Sequence, residues 1–105
     1  MGNRIGIQVP RQRIAEFCRK WGIRELSLFG SVLSDDFGPD SDIDVLVSFN
    51  EGATHTLFDL VRMERELEEI FGREVDVVSR RGIESSRNYL RRKAILDSAE
   101  AVYAA

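Results

Sequence analysis

The stretch Leu26 to Phe49, LSLFGSVLSDDFGPDSDIDVLVSF, constrains this chain more than any other part of it. Its second apolar run alternates with period two, so Ile43, Val45, Val47 and Phe49 share one face of a strand and Asp42, Asp44, Leu46 and Ser48 share the other. Its first run belongs to a strand over Ile23 to Phe29, which Gly30 breaks. Between Ser31 and Asp42 lie ten residues, Val32 to Ser41, which hold a short helical turn and then the turn signal Gly38-Pro39-Asp40. The excursion returns the chain to the sheet, so Gly30-Ser31 where the first strand ends and Asp42-Ile43-Asp44 where the second begins read as one site built across two adjacent strands.

The remaining elements are set by periodicity. Ile14, Phe17, Cys18 and Trp21 at i, i+3, i+4 and i+7 predict a helix from Pro10 to a stop at Gly22, with Phe17 and Trp21 in the core. Residues 1–9 alternate weakly at Ile5, Ile7 and Val9 and are expected to be a loosely held lead-in. After a loop over Asn50 to Thr56, an apolar stripe from Leu57 to Phe71 predicts a four-turn helix with Thr56 as cap, Asp59 three residues on, and Gly72 as its end. Its charged residues from Arg62 to Glu69 read as a solvated face with i, i+4 pairs. A third strand over Glu74 to Ser79 carries an acid, Asp76, in its middle. Then Ser85 or Ser86 is expected to cap a helix running to about Asp97, and Ala101-Val102-Tyr103 forms a final strand or a docked tail.

Three carboxylates on neighbouring strands repel one another unless a positive charge lies among them. A divalent metal is the natural candidate. Alternate strand residues lie roughly 6.6 Å apart, so their carboxylates can converge on ions about 3.5 to 4 Å apart, the spacing of two-metal phosphoryl-transfer sites. Oxygen ligands without nearby His or Cys select Mg²⁺ or Mn²⁺, and magnesium completes its shell with water and substrate phosphate, which predicts a nucleotide. Gly30 lets the backbone approach a phosphate closely, and the Ser31 hydroxyl with the following amides can donate to its oxygens.

Taken together, these residues resemble the DNA polymerase β-type nucleotidyltransferase superfamily, and the SDIDVLV and LFDLVRMERELEEIFGREVDVVS runs are similar to its minimal nucleotidyltransferases. The resemblance covers about Ile23 to Tyr103 and implies an α/β (α+β) fold, a mixed sheet flanked by helices, with residues 1–105 as a single nucleotidyltransferase domain. It implies Asp42 and Asp44 as metal ligands, Asp76 as third ligand and base, and Gly30 with Ser31 as the triphosphate anchor. Members of the minimal group act as antitoxins of a small helical HEPN-type ribonuclease toxin, transferring AMP from ATP to one of its tyrosines. Two other readings stay open: an antitoxin that neutralises its partner by occlusion, and transfer to a small molecule or an RNA end. One departure from the superfamily pattern is plain. Many relatives carry an arginine near the Gly-Ser pair, whereas Val32 to Ser41 holds no Arg or Lys and has Asp35, Asp36 and Asp40.

Positive charge is concentrated elsewhere. Residues 80–93 contain Arg80, Arg81, Arg87, Arg91, Arg92 and Lys93 against one acid, Glu84. Most of this stripe reads as solvated, and Arg80 and Arg81, which directly follow the strand bearing Asp76, are assigned to nucleotide binding. A net charge of −3 gives no global attraction to nucleic acid, and no aromatic-interleaved basic pattern suggests a single-strand platform. No apolar run approaches the roughly 20 residues that span a bilayer, so a cytoplasmic protein is expected. Cys18, the one cysteine, reads as a buried inert thiol, and His55, the one histidine, as a surface residue, while Tyr89 and Tyr103 receive no role.

Overall fold

In the computed structural model, which describes residues 6–105, the apolar stripe Ile14, Phe17 and Cys18 forms the buried side of helix α1, Arg11–Trp21. Gly22 ends it in the left-handed region at φ 69°, where a residue without Cβ is unstrained. Strand β1, Ile23–Phe29, leads into a 3-10 turn, Gly30–Leu33, and strand β2 follows at Ile43–Phe49. Helix α2, Leu57–Phe71, starts at a complete capping box: Thr56 Oγ1 accepts from the Asp59 amide, and Asp59 Oδ2 accepts from the Thr56 amide. Strand β3, Val75–Ser79, helix α3, Arg80–Glu84, helix α4, Tyr89–Ser98, and strand β4, Glu100–Ala104, complete the chain.

The four strands form one mixed sheet in the order β3-β2-β1-β4, with β1 antiparallel to both neighbours and β2 parallel to β3. Helices cover both faces. One face carries the main core, where Leu26, Leu28, Ile43, Val45 and Val47 pack with Ile14 and Phe17 of α1 and Met63 and Leu67 of α2. The other carries a smaller cluster in which Phe29 and Leu46 pack with Ile83 of α3 and Ile95 of α4. Cys18 is fully buried and its thiol is pushed up to about 12 by that burial, with Arg19 pulling weakly the other way. No helix among the described residues is long and apolar enough to cross a membrane.

Several details differ from the sequence expectation. The lead-in is held where it is described: the Gly6 amide donates to Val32 O at 2.8 Å, and Ile7 and Val9 pack on the core. The portion through Ile5 lies outside the described residues. Trp21 sits only partly buried at the rim of the core, where its Nε1 donates to Glu66. The α2 acids make no solvated i, i+4 ladder. Instead Glu64 and Glu68 accept from the Val77 and Val75 amides, satisfying the outer side of edge strand β3. The basic segment is two helices, not one: Ser79 caps α3, and Asn88 caps α4 by accepting from the Arg91 amide. Between them Ser85 donates to Arg81 O and Ser86 accepts from the Asn88 amide, local bonds that compete with a continuous helix. His55 is not a surface residue. Its ring lies against Phe49 at 4.2 Å between centroids, edge-on to Trp21, and its Nε2 is buried with no partner among the described residues.

Candidate active site

The pairing registers bring the motif residues together. Phe29 stands opposite Asp44 across β1 and β2, so Gly30 begins its turn at the level of the Asp44 carboxylate. Across β2 and β3, Asp44 pairs directly with Asp76, and in parallel strands paired residues point to the same face. Asp42 and Glu74 stand just before the paired Ile43 and Val75, and the Ile43 amide donates to Glu74 O at 2.9 Å. Two acid-x-acid segments, Asp42-Ile43-Asp44 and Glu74-Val75-Asp76, therefore run side by side. Glu74 is the acid the sequence reading passed over, although its i−2 position relative to Asp76 was the signal for it.

The electrostatics are those of crowded carboxylates. Burial holds the Asp44 carboxyl above its ordinary value, repulsion from Asp76 and then Asp42 raises it further, and Arg91 offsets part of this. Glu74 is also raised, first by its side-chain hydrogen bond to Asp42 and then by repulsion from that carboxylate. Hard oxygen donors that repel one another suit a divalent cation such as Mg²⁺. Among the described residues, no three His, Cys, Asp or Glu side chains form a ready-made cage for an ion. The donor set thus matches the metal in chemistry, and Asp42, Asp44 and Asp76 are the residues that would hold it.

Gly30 is required twice over. Its φ of 78° lies in the left-handed region, and a Cβ built on it falls on Asp44 Oδ2. Ser31, half-buried, is the next residue of the same turn. The acidic spacer is fixed from outside by Arg73, whose Nη1 donates to Gly38 O and Ser41 O, each at 3.0 Å, and whose guanidinium stacks on Phe37. Sequence reasoning gave Arg73 no part, because its partners are 32 and 35 residues away.

Arg80 and Arg81 are not brought to this site. They follow Ser79, which pairs with Val47, three residues along β2 from Asp44 toward the opposite end of the sheet. There they line a different cavity of about 550 Å³, together with Arg24, Phe49, His55 and Glu84. Arg80 is engaged there by Glu84 at 3.2 Å and by Glu25 at 3.8 Å. The stripe residue that acts on Asp44 is Arg91 of α4.

Comparison with known proteins places this geometry. The profile of the nucleotidyltransferase domain family matches residues 11–102. A candidate protein adenylyltransferase of Methanocaldococcus jannaschii is 42% identical over 75 residues, spanning 71% of this chain and 78% of that protein. Protein adenylyltransferase MntA of Thermococcus cleftensis is 34% identical over 70 residues, 67% of this chain and 69% of the relative. Among solved structures, a candidate minimal nucleotidyltransferase superposes with a TM-score of 0.65 at 37% identity over 86% of each chain. A toxin-antitoxin complex with AMP-PNP superposes with a TM-score of 0.70 at 18% identity, over 92% of this chain and 75% of the other, a likeness of fold. The chain belongs to the nucleotidyltransferase domain family and is a nucleotidyltransferase.

Proposed function

We propose that this chain transfers AMP from ATP, with Mg²⁺, to a tyrosine hydroxyl of a small helical HEPN-type toxin and acts as its antitoxin. The observation that carries the reading is the in-register pairing of Asp44 with Asp76, with Asp42 beside them and Gly30 against the Asp44 carboxylate. The protein adenylyltransferase names of two relatives support AMP transfer to protein. A chain of the solved complex of a tri-AMPylated HEPN toxin with MNT antitoxin shares this fold at a TM-score of 0.62, which supports the partner class.

In this reading the acceptor oxygen attacks the α-phosphorus, the bond from that phosphorus to the α,β-bridging oxygen breaks, and pyrophosphate leaves with the bonding pair. The hydroxyl proton passes to Asp76, the partner of Asp44 in the parallel ladder. Asp42, Asp44 and Asp76 would hold magnesium, which would supply positive charge to offset that of the triphosphate and the leaving group. Gly30 and Ser31 border the triphosphate, and the absent Cβ of Gly30 leaves room for the Asp44 carboxylate beside it. Incubation with labelled ATP, Mg²⁺ and the product of the neighbouring gene is expected to label that partner, and Asp42→Asn to abolish the label. A label of equal strength from the variant would overturn the mechanism.

The acidic spacer favours a second reading, neutralisation by occlusion with a vestigial site. Under it, inhibition of the toxin persists without ATP and in Asp44→Asn.

A further inference from the structure

We propose that Arg91 is the residue that binds the β- and γ-phosphates of the nucleotide, filling the place that the cation-free spacer leaves open. The inference rests on the reading of this site as a nucleoside triphosphate site.

Three observations carry it. The first is position. Ile95 of α4 packs with Phe29 and Leu46, the residue opposite Asp44 and the residue two beyond it, so α4 lies across the Asp44 end of the sheet. Arg91 is one helical turn before Ile95 and so on the same stripe of α4.

The second is elimination, because a phosphate-binding cation must not be spent elsewhere. Arg73 is committed to two loop carbonyls and the Phe37 ring. Arg92 donates to Ser86 O at 2.9 Å and faces the Tyr89 ring, and Lys93 is paired with Asp97 at 2.6 Å. Arg80 and Arg81 lie at the opposite end of the sheet, and Arg87 sits in the break between α3 and α4, outside the helix that Ile95 fastens. Arg91 is exposed, and among the described residues its guanidinium has no hydrogen bond or ion pair, its own amide alone being used in the Asn88 cap.

The third is chemistry. Asp44, Asp42, Asp76 and Glu74 on one side, and Asp35, Asp36 and Asp40 in the spacer, make a field that repels a triphosphate. Metal offsets the first group only. A guanidinium offers a planar fork of donors to phosphate oxygens, and from α4 it reaches the site without joining the carboxylate cluster.

The test uses the full chain with Mg²⁺ and isothermal titration of ATP and of AMP, alongside Mn²⁺ binding as a check on the carboxylates. Arg91→Ala is expected to weaken ATP about tenfold or more, the range for a lost hydrogen bond to a charged group. AMP, which lacks the two outer phosphates, is expected to change by less than about threefold on the same reasoning. Arg91→Lys restores part of the ATP affinity, and Arg65→Ala, on the exposed side of α2, matches the parent protein. ATP affinity unchanged in Arg91→Ala, or equal losses for ATP and AMP, would overturn the assignment. Tighter Mn²⁺ binding with unchanged ATP affinity would show Arg91 to be only a counter-ion for the carboxylates, and would overturn it too. A parent protein that binds no ATP would remove the nucleotide reading and this inference together, whereas a parent that binds and transfers while Arg91→Ala equals it removes this inference alone.

Discussion

Replacing Gly30 by alanine tests the core of the site, because the structure separates two costs that usually come together. The first is the backbone: at φ 78° an L-residue pays roughly 1–2 kcal/mol. The second is the neighbour. The new Cβ falls on Asp44 Oδ2 and stands 3.3 Å from its Cγ and 3.6 Å from its Cβ. Asp44 cannot retreat along the backbone, since its partner Phe29 fixes it in the β1–β2 ladder. Its carboxylate must therefore rotate away, at about 0.5–1.5 kcal/mol for an off-rotamer side chain. The sum is roughly 1.5–3.5 kcal/mol, or about 6–28 °C in Tm for a domain of this size.

Gly52 supplies the reference. Its φ is 85° and an added Cβ there meets nothing within 4 Å, so Gly52→Ala pays the backbone cost alone. Urea unfolding of both variants should show Gly30→Ala less stable by about 1 kcal/mol, the neighbour's share. Adding Asp44→Ala to each should recover that share in the Gly30 background only, a coupling of at least about 0.5 kcal/mol. AMP transfer should fall about a hundredfold in Gly30→Ala, as expected for a catalytic group displaced by about 1 Å, and little in Gly52→Ala. Equal losses of stability in the two glycine variants with no coupling to Asp44 would refute the claim that the carboxylate sets the need for glycine.

Two further outcomes follow from the same geometry. In metal-free buffer the folded state binds a proton at Asp44 more tightly than the unfolded chain does, so this group's contribution to stability is greatest at or below its unfolded value of 3.8 and falls as pH rises through the elevated folded value. The stability of Asp44→Asn relative to the parent should therefore grow as pH rises from about 4, and a difference flat with pH would contradict the crowding of Asp44 by burial, Asp76 and Asp42. Thr56→Ala removes one half of the α2 capping box and should cost about 1 kcal/mol in thermal or urea unfolding, with AMP transfer retained because Thr56 lies near the opposite end of the sheet. A cost within error of zero would mean that the Asp59 half of the box suffices.

What the sequence disclosed, and what it hid, follows the range of the forces involved. The alternation of Ile43, Val45 and Val47, the stripe of α1, and the Thr56–Asp59 box are local patterns, and each gives its element directly. That Gly30-Ser31 and Asp42-Ile43-Asp44 sit on two adjacent strands was also legible, but the contact of Gly30 with Asp44 comes from the β1–β2 register, which a ten-residue return leaves open. Placement of charge was not legible. Arg80 is four residues from Asp76, but at about 3.3 Å per strand residue that carries it about 13 Å toward the wrong end of the sheet. Arg91 is fifteen residues from Asp76 in sequence, and reaches the site only because the Ser85 to Asn88 break turns the chain and Ile95 fastens α4 across the Asp44 end. His55 was misread for the same reason, its contacts with Phe49 and Trp21 being tertiary. Carboxylates on a strand can be assigned from spacing because the ladder is regular. The cation that complements them is set by how a helix packs, and in this chain that separates Arg80 and Arg81, which merely follow the third aspartate, from Arg91, whose helix lies across the Asp44 end.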